Sequence, residues 1–144
     1  MFIDLIFKEE SNCVAFSGQK RSGGNFDGRI TFDNSLVNVG GGFDPALGEF
    51  TAPLSTSYVF SLSAMTGTTK EHTTVTVHKN DEILFHINEG NVASGQNRIS
   101  FSWIEDMHAG DTLKMFVVSN KLYANEENFV TFHGFALVEY LVFI

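Results

Sequence analysis

Between Asn38 and Phe60 the chain sets Gly40, Gly41, Gly42, Pro45, Gly48 and Pro53 around single aromatics at Phe43, Phe50, Tyr58 and Phe60. No helix survives that punctuation. Glycine admits backbone angles that side chains forbid, and proline fixes φ and withholds a donor. The stretch must therefore run strand, turn, strand. It leads into Tyr58 to Ala64, where Tyr58, Phe60, Leu62 and Ala64 share one face of a period-two strand and Ser61 and Ser63 take the other. A strand with one apolar and one polar face, reached through so many turns, belongs to an all-β protein.

The rest of the chain continues the pattern. Phe2 to Phe7 alternates weakly and reads as an extra edge strand, so residues 1–12 form an extension ahead of one globular domain at 13–144. Val14 to Ser17 is a short strand, Gln19 to Gly28 a loop around the turn signal Ser22-Gly23-Gly24-Asn25, and Arg29 to Phe32 the next strand. Thr73 to Lys79 points Val75 and Val77 inward and Thr74, Thr76 and His78 outward. Asn80-Asp81 turns it into Ile83 to Ile87, with Ile83, Phe85 and Ile87 on one face, as a hairpin would. Asn88 to Asn97 is a polar loop, and Arg98 to Ile104 a strand with Ile99, Phe101 and Trp103 together. Gly110-Asp111 turns into Leu113 to Val118. A second polar loop, Ser119 to Asn128, precedes a final apolar strand from Phe129 to Ile144. About eight to ten short strands without a helical period or an internal repeat make a β-sandwich.

Composition narrows what such a sandwich does. A chain of 144 residues is one domain. It buries roughly 70% of its unfolded surface, enough for a core without staples. Fifteen Phe against one Trp and three Tyr is a heavy apolar aromatic share. The rings fill a Phe-rich core, or some of them line a subunit interface, where aromatics are favoured. The net charge of −8, with its Lys and Arg scattered, provides no basic stripe for phosphates and no attraction to an anionic membrane. Nucleic-acid and membrane partners are therefore not expected. The lone Cys13 excludes an internal disulfide. It reads as a small buried residue at the edge of the first strand, or as an intermolecular bridge. No run approaches the roughly 18 apolar residues of a membrane span. Met1 to Lys8 is a poor signal peptide, and there is no Asn-x-Ser/Thr acceptor.

Catalytic chemistry is not expected. The five histidines, His72, His78, His86, His108 and His133, fall at no ligand spacing, and with one Cys no zinc quartet forms. His78, His86 and His133 read as solvated positions pointing away from the core. Gly40-Gly41-Gly42 lacks the Lys-Ser/Thr and the helix of a phosphate loop. The neighbouring carboxylates Glu9-Glu10, Asp81-Glu82, Glu105-Asp106 and Glu126-Glu127 point apart on strands and loops. An enzyme is not the reading.

The order Asn38, Phe43-Asp44, Gly48, Phe50, Pro53, Tyr58, Phe60 resembles the signature of the globular head domain of complement C1q and its relatives. Val14-Ala15-Phe16-Ser17 resembles the family's first strand, and Gly110-Asp111 its Gly-Asp turn. Leu122-Tyr123-Ala124 followed by Thr131 to Leu137 resembles its last loop and strand. The resemblance spans Cys13 to Tyr140. It implies a jelly roll of about ten antiparallel strands, similar to tumour necrosis factor, assembling as a homotrimer. Phe16, Phe50, Tyr58, Phe60, Phe132, Gly134 and Phe135 are the implied core and trimer residues.

Further expectations follow from the same resemblance. Members often hold Ca²⁺ near the trimer apex. Here Asn88, Glu89 and Asn91 stand in the matching loop, so Glu89 would be the one charged donor where several are wanted. Calcium is thus the one metal to weigh, and no other cofactor is expected. Asn91, Asn97, Tyr123 and Asn125, on two polar loops, suit sugar hydroxyls and a sugar's apolar face. The implied function is a secreted, multivalent recognition module for microbial glycans or lipopolysaccharide, its signal peptide absent from this chain. The alternatives are a matrix scaffold trimer and a ligand for a cell-surface receptor, as the tumour necrosis factor fold suggests. Gln96 to Ala109 is longer than the family's equivalent, and the irregularity around Trp103 to His108 marks where ligand choice would differ.

Overall fold

A computed structural model describes residues 13–67, 72–89 and 96–137. The edge strand expected at Phe2 to Phe7 and the extension 1–12 lie outside the described residues. Among the described residues there are eleven strands: β1 (Ala15–Lys20), β2 (Gly24–Arg29), β3 (Asn34–Val39), β4 (Phe43–Asp44), β5 (Glu49–Thr51), β6 (Thr56–Thr66), β7 (Thr73–Lys79), β8 (Glu82–Glu89), β9 (Arg98–Met107), β10 (Thr112–Ala124) and β11 (Val130–Ala136). Every pairing is antiparallel. One layer runs β3-β1-β11-β6-β9. The other runs β2-β10-β7-β8, with β5 and β4 continuing from the start of β10. The layers join where Met65 and Thr66 of β6 pair with Tyr123 and Leu122 of β10. This is the expected jelly-roll sandwich.

Period-two alternation builds the core. Tyr58, Phe60, Leu62 and Ala64 of β6 are fully buried, facing Val75 and Val77 of β7 and Leu113, Met115 and Val117 of β10. Phe16 is the hub of the aromatic packing, with ring centroids 4.6 Å from Phe43, 4.8 Å from Phe50 and 5.1 Å from Phe132. Gly134 is buried beside it because nothing larger fits: a Cβ there would lie 2.4 Å from Phe16 Cε1.

The punctuated stretch folds as its residues dictate. The Asn38 side chain takes the place of a strand partner, its Nδ2 donating to Phe43 O at 2.9 Å and its Oδ1 accepting the Phe43 N–H at 3.3 Å. Gly48 has φ 64°, and a Cβ there would sit 1.8 Å from Ile30 O, so only glycine closes the β4–β5 turn. Tyr58 Oη donates to Leu54 O at 2.7 Å and accepts the Leu54 N–H at 3.1 Å, anchoring the turn after Pro53.

Several expectations are corrected. Gln19 to Gly28 is not a loop, because Gly24–Arg29 pairs with β10 and tertiary pairing overrides a weak local preference. Arg29 to Phe32 is not a strand. Ile30 and Phe32 are buried as alternation required, but Ile30 N–H donates to Met115 O and Phe32 N–H to Pro45 O, so no ladder forms with a single neighbour. Ile83 does not share the buried face. Phe85 pairs with Val77 while Ile83 pairs with His78, which leaves Leu84 as an extra residue and Ile83 half-exposed. Thr76 does not point to solvent, because Phe116 and His86 flank it on the adjacent strands and cover it. Ser119 to Asn128 is a loop only from Asn125. Before it β10 bulges at Val118–Lys121, with Asn120 at φ 59°, and resumes to Ala124. Cys13 is exposed rather than buried. The final strand is Val130–Ala136 as far as the described residues reach.

Candidate functional site

Two surfaces stand out. The first is the outward face of the β3-β1-β11-β6-β9 layer. Registers place Val39 beside Ala15, Ala15 beside Phe135, Phe135 beside Val59, and Val59 beside Ile104. An unbroken apolar row thus crosses five strands on a face turned away from the core. Val39, Phe135 and Ile104 are 48%, 48% and 65% exposed, a contiguous apolar patch of a kind that single soluble chains rarely leave in water. The next row reads Val37, Ser17, His133, Ser61, Ser102, with the His133 ring set among three serines.

The open edge between β8 and β9 is closed by rings rather than by a ladder. Phe85, Phe101 and Trp103 lie with centroids 5.2 to 5.8 Å apart, and Trp103 continues to Phe60 at 5.5 Å. The buried Trp103 Nε1 finds no hydrogen-bond partner among the described residues. Arg98 to Met107 is one unbroken strand, each residue from Thr56 to Met65 facing it in register.

The second surface is the pole opposite the ends of the described chain. Val14 and Leu137 lie at one end of the sandwich, where Ala136 N–H donates to Val14 O. At the other end Thr66 N–H donates to Asn97 O at 2.7 Å, and the Asn97 N–H donates to Thr66 Oγ1 at 2.8 Å. Tyr123 pairs with Met65 on one side and Asn25 on the other. Asn125 Oδ1 accepts the amides of Glu127 and Asn128, and its Nδ2 donates to Tyr123 Oη at 3.3 Å. The fold thus brings Asn97, Tyr123 and Asn125 to one rim, with Tyr123 on a strand and Asn125 holding a turn. Asn91 lies outside the described residues.

The calcium residues are less well gathered. Asn88 and Glu89 are successive in β8 and so leave it on opposite faces, and Asn88 Oδ1 accepts from Thr74 Oγ1 at 2.7 Å. Among the described residues no group of three His, Cys, Asp or Glu stands ready for a metal. That donor set is thin for a hard cation.

The implied core and trimer residues divide. Phe16, Phe50, Tyr58, Phe60, Phe132 and Gly134 are buried, while Phe135 faces outward in the apolar row. Most of these rings fill the core, and Phe135 is turned to the surface. Sequence reasoning missed Val39 and Ile104, although Ile104 falls out of step with the inward Ile99 and Trp103 and so signals a second apolar face.

Electrostatics single out three groups. Burial pushes the Tyr58 hydroxyl's pKa up against its hydrogen bond with Leu54. Burial first, then Lys114, lowers His78, whose ring packs edge-on against Phe116 at 4.9 Å. The His108 amide and then Asn80 hold the Asp111 carboxyl below its usual range.

Comparison with known proteins agrees with this geometry. The C1q domain family matches residues 14–137. Complement C1q tumor necrosis factor-related protein 3 of Homo sapiens is 27% identical over 115 residues, 80% of this chain and 47% of that protein, and its Mus musculus counterpart matches equally. The chain spans about half the length of these curated relatives. Among solved structures, the globular domain of zebrafish complement 1qA protein superposes with a TM-score of 0.69 at 18% identity, covering 88% of this chain and 99% of that one. Murine APRIL at pH 5.0 gives 0.64 at 11%, covering 85% and 98%. Eiger TNF from S. frugiperda gives 0.62 at 13%, covering 90% and 96%. These likenesses show the fold.

Proposed function

We propose that this chain, which belongs to the C1q domain family, is an extracellular recognition module that acts as a homotrimer and binds glycans of microbial surfaces, lipopolysaccharide among them. The observation that carries the reading is the apolar row Val39, Ala15, Phe135, Val59, Ile104 at right angles to the strands. A sister copy would cover that row and the ring-closed β8–β9 edge, and a head-to-tail contact that closes after three copies leaves no edge open. The poles carrying Asn97, Tyr123 and Asn125 would then stand together. Three weak sites on one rigid body raise apparent affinity by confining the second and third events to high local concentration. No helix among the described residues is long and apolar enough to cross a membrane.

The test pairs light scattering with a glycan array. A trimeric mass and saturable binding to defined saccharides support the reading. A monomeric mass at micromolar concentration overturns it. A trimer silent on the array but captured by cells through a surface receptor favours the second reading, a tumour-necrosis-factor-like ligand, which the likeness to murine APRIL and Eiger TNF supports. Silence with concentration-dependent higher assembly favours a matrix scaffold.

A further inference from the structure

In the β3-β1-β11-β6-β9 layer β11 is the middle strand, with two strands on either side. His133 is exposed on that strand, two residues before Phe135 and so on the same outward face as the apolar row. Its neighbours in register are Ser17 of β1 and Ser61 of β6, and Ser102 follows on β9, its hydroxyl donating to Ser61 Oγ at 3.2 Å. Hydroxyls share hydrogen bonds with a ring but do not cancel its charge. Among the described residues no carboxylate pairs with His133. The positions around it on this face, Thr131 and Phe135 on β11, Gln19 and Ala15 on β1, and Ser63 and Val59 on β6, are uncharged. The first charges on the face are Arg98 and Asp106 of β9, opposite Met65 and Ser57, each four positions along β6 from Ser61, or about 13 Å. At the far end of β1, Lys20 and Arg21 lie over the rings of Phe26 and Phe129, with Asp33 accepting the Arg21 N–H, and Cys13 stands at the foot.

In the reading above a sister copy covers this face and brings its β8–β9 edge against it. The charges of that edge stand away from its middle or are already paired. Arg98 and Asp106 lie near the ends of β9, Glu105 takes the Lys79 ammonium at 3.3 Å, and Glu82 and Glu89 are the first and last residues of β8. His86 is the titratable side chain in the middle of β8, exposed and opposite Thr76 of β7. We propose that His133 makes the assembly of this chain acid-sensitive, holding the copies together as neutral imidazole and separating them as imidazolium. The cause is desolvation. On a lone chain water solvates the ring in either form, whereas a closed face that offers only hydroxyls disfavours the charged one. Imidazole takes a proton at about pH 6.5 in water. Assembly excludes that proton, so it is at full strength above this value and weakens as pH falls below it. Each excluded proton is worth about one decade per pH unit, so three copies give a limiting slope of about three decades. This deepens the homotrimer reading and rests on it.

The test follows mass by light scattering at about pH 7.5 and about pH 5.5, at one ionic strength, with circular dichroism as the check on folding. The proteins are the intact chain, His133→Gln, His133→Lys and, as a control histidine, His86→Gln. The intact chain and His86→Gln are expected to be trimeric at the higher pH and to come apart at the lower, the dissociation constant rising about 100-fold or more. His133→Gln, which takes no proton, stays trimeric at both. His133→Lys, a fixed cation on an exposed position, is monomeric at both and keeps its β-type spectrum. An intact chain that is trimeric at both values, assembly that tightens in acid, or a His133→Gln variant that dissociates like the intact chain overturns the switch and leaves the trimer standing. A His133→Lys trimer at the higher pH does the same. An intact chain that is monomeric at the higher pH overturns the homotrimer reading, and the switch with it.

Discussion

The carboxamide of Asn38 closes both backbone hydrogen bonds of Phe43, donating to its carbonyl at 2.9 Å and accepting from its amide at 3.3 Å. Phe43 is in turn stacked on Phe16 at 4.6 Å, so one surface amide positions a core ring. Replacing it as Asn38→Ala leaves a partly buried amide and carbonyl unpaired. The expected cost is about 1–3 kcal/mol, read as a lower urea midpoint at unchanged slope. Asn38→Asp, which keeps the acceptor and loses the donor, falls between.

Gly134 is a second point of intolerance. An added Cβ meets Phe16 Cε1 at 2.4 Å and Phe60 Cδ1 at 2.9 Å, both on rings held by other rings. Gly134→Ala therefore overpacks the core and lowers stability by about 1–3 kcal/mol. Gly48→Ala, which drives a methyl group into the Ile30 carbonyl at positive φ, costs more than Gly134→Ala. Thermal melts of the two variants set that order.

The apolar row predicts a separation of fold from assembly. Phe135→Glu and Ile104→Glu place a charge on a face with no core contact, so each chain folds. Burying an unpaired carboxylate between copies is unfavourable, so both variants run at monomeric mass by light scattering while keeping their β-type circular dichroism. Phe132→Glu, aimed into the core, does not fold.

Asp111 gives the pH dependence a sign. Its carboxyl is held low chiefly by the His108 amide and then by Asn80, so the folded state favours the ionised form. That contribution is complete above the unfolded carboxylate value of about 3.9 and is lost as pH falls through the lower folded value. The Asp111→Asn variant lacks this carboxylate contribution, so its melting temperature declines less steeply than the parent's over that acid range.

Alternation was the most legible signal. Tyr58 to Ala64, Thr73 to Lys79 and the hairpin at Asn80-Asp81 follow from apolar spacing and turn chemistry, because each strand has one wet and one dry face. The signature from Asn38 to Phe60 was also readable, and each residue in it has a steric or hydrogen-bonding reason. Two of the misreadings come from partners far away in sequence: Gly24–Arg29 is extended because β10 lies beside it, and Thr76 is covered in part by β10. The third is local, since Leu84 is an extra residue within the β7–β8 hairpin. Of the candidate site, the letters of Asn97, Tyr123 and Asn125 suggested polar contact, but only the meeting of β6, β9 and β10 brings them to one rim.

Val14 and Leu137 lie side by side at one end of the sandwich, so a tether, tag or sensor surface attached at either position holds the domain by its foot. Tyr123 and its neighbours then face the bulk solution, whichever of the two positions carries the anchor. Coupling through the exposed Cys13 has the same polarity, so a single thiol suffices to display an oriented layer of the protein.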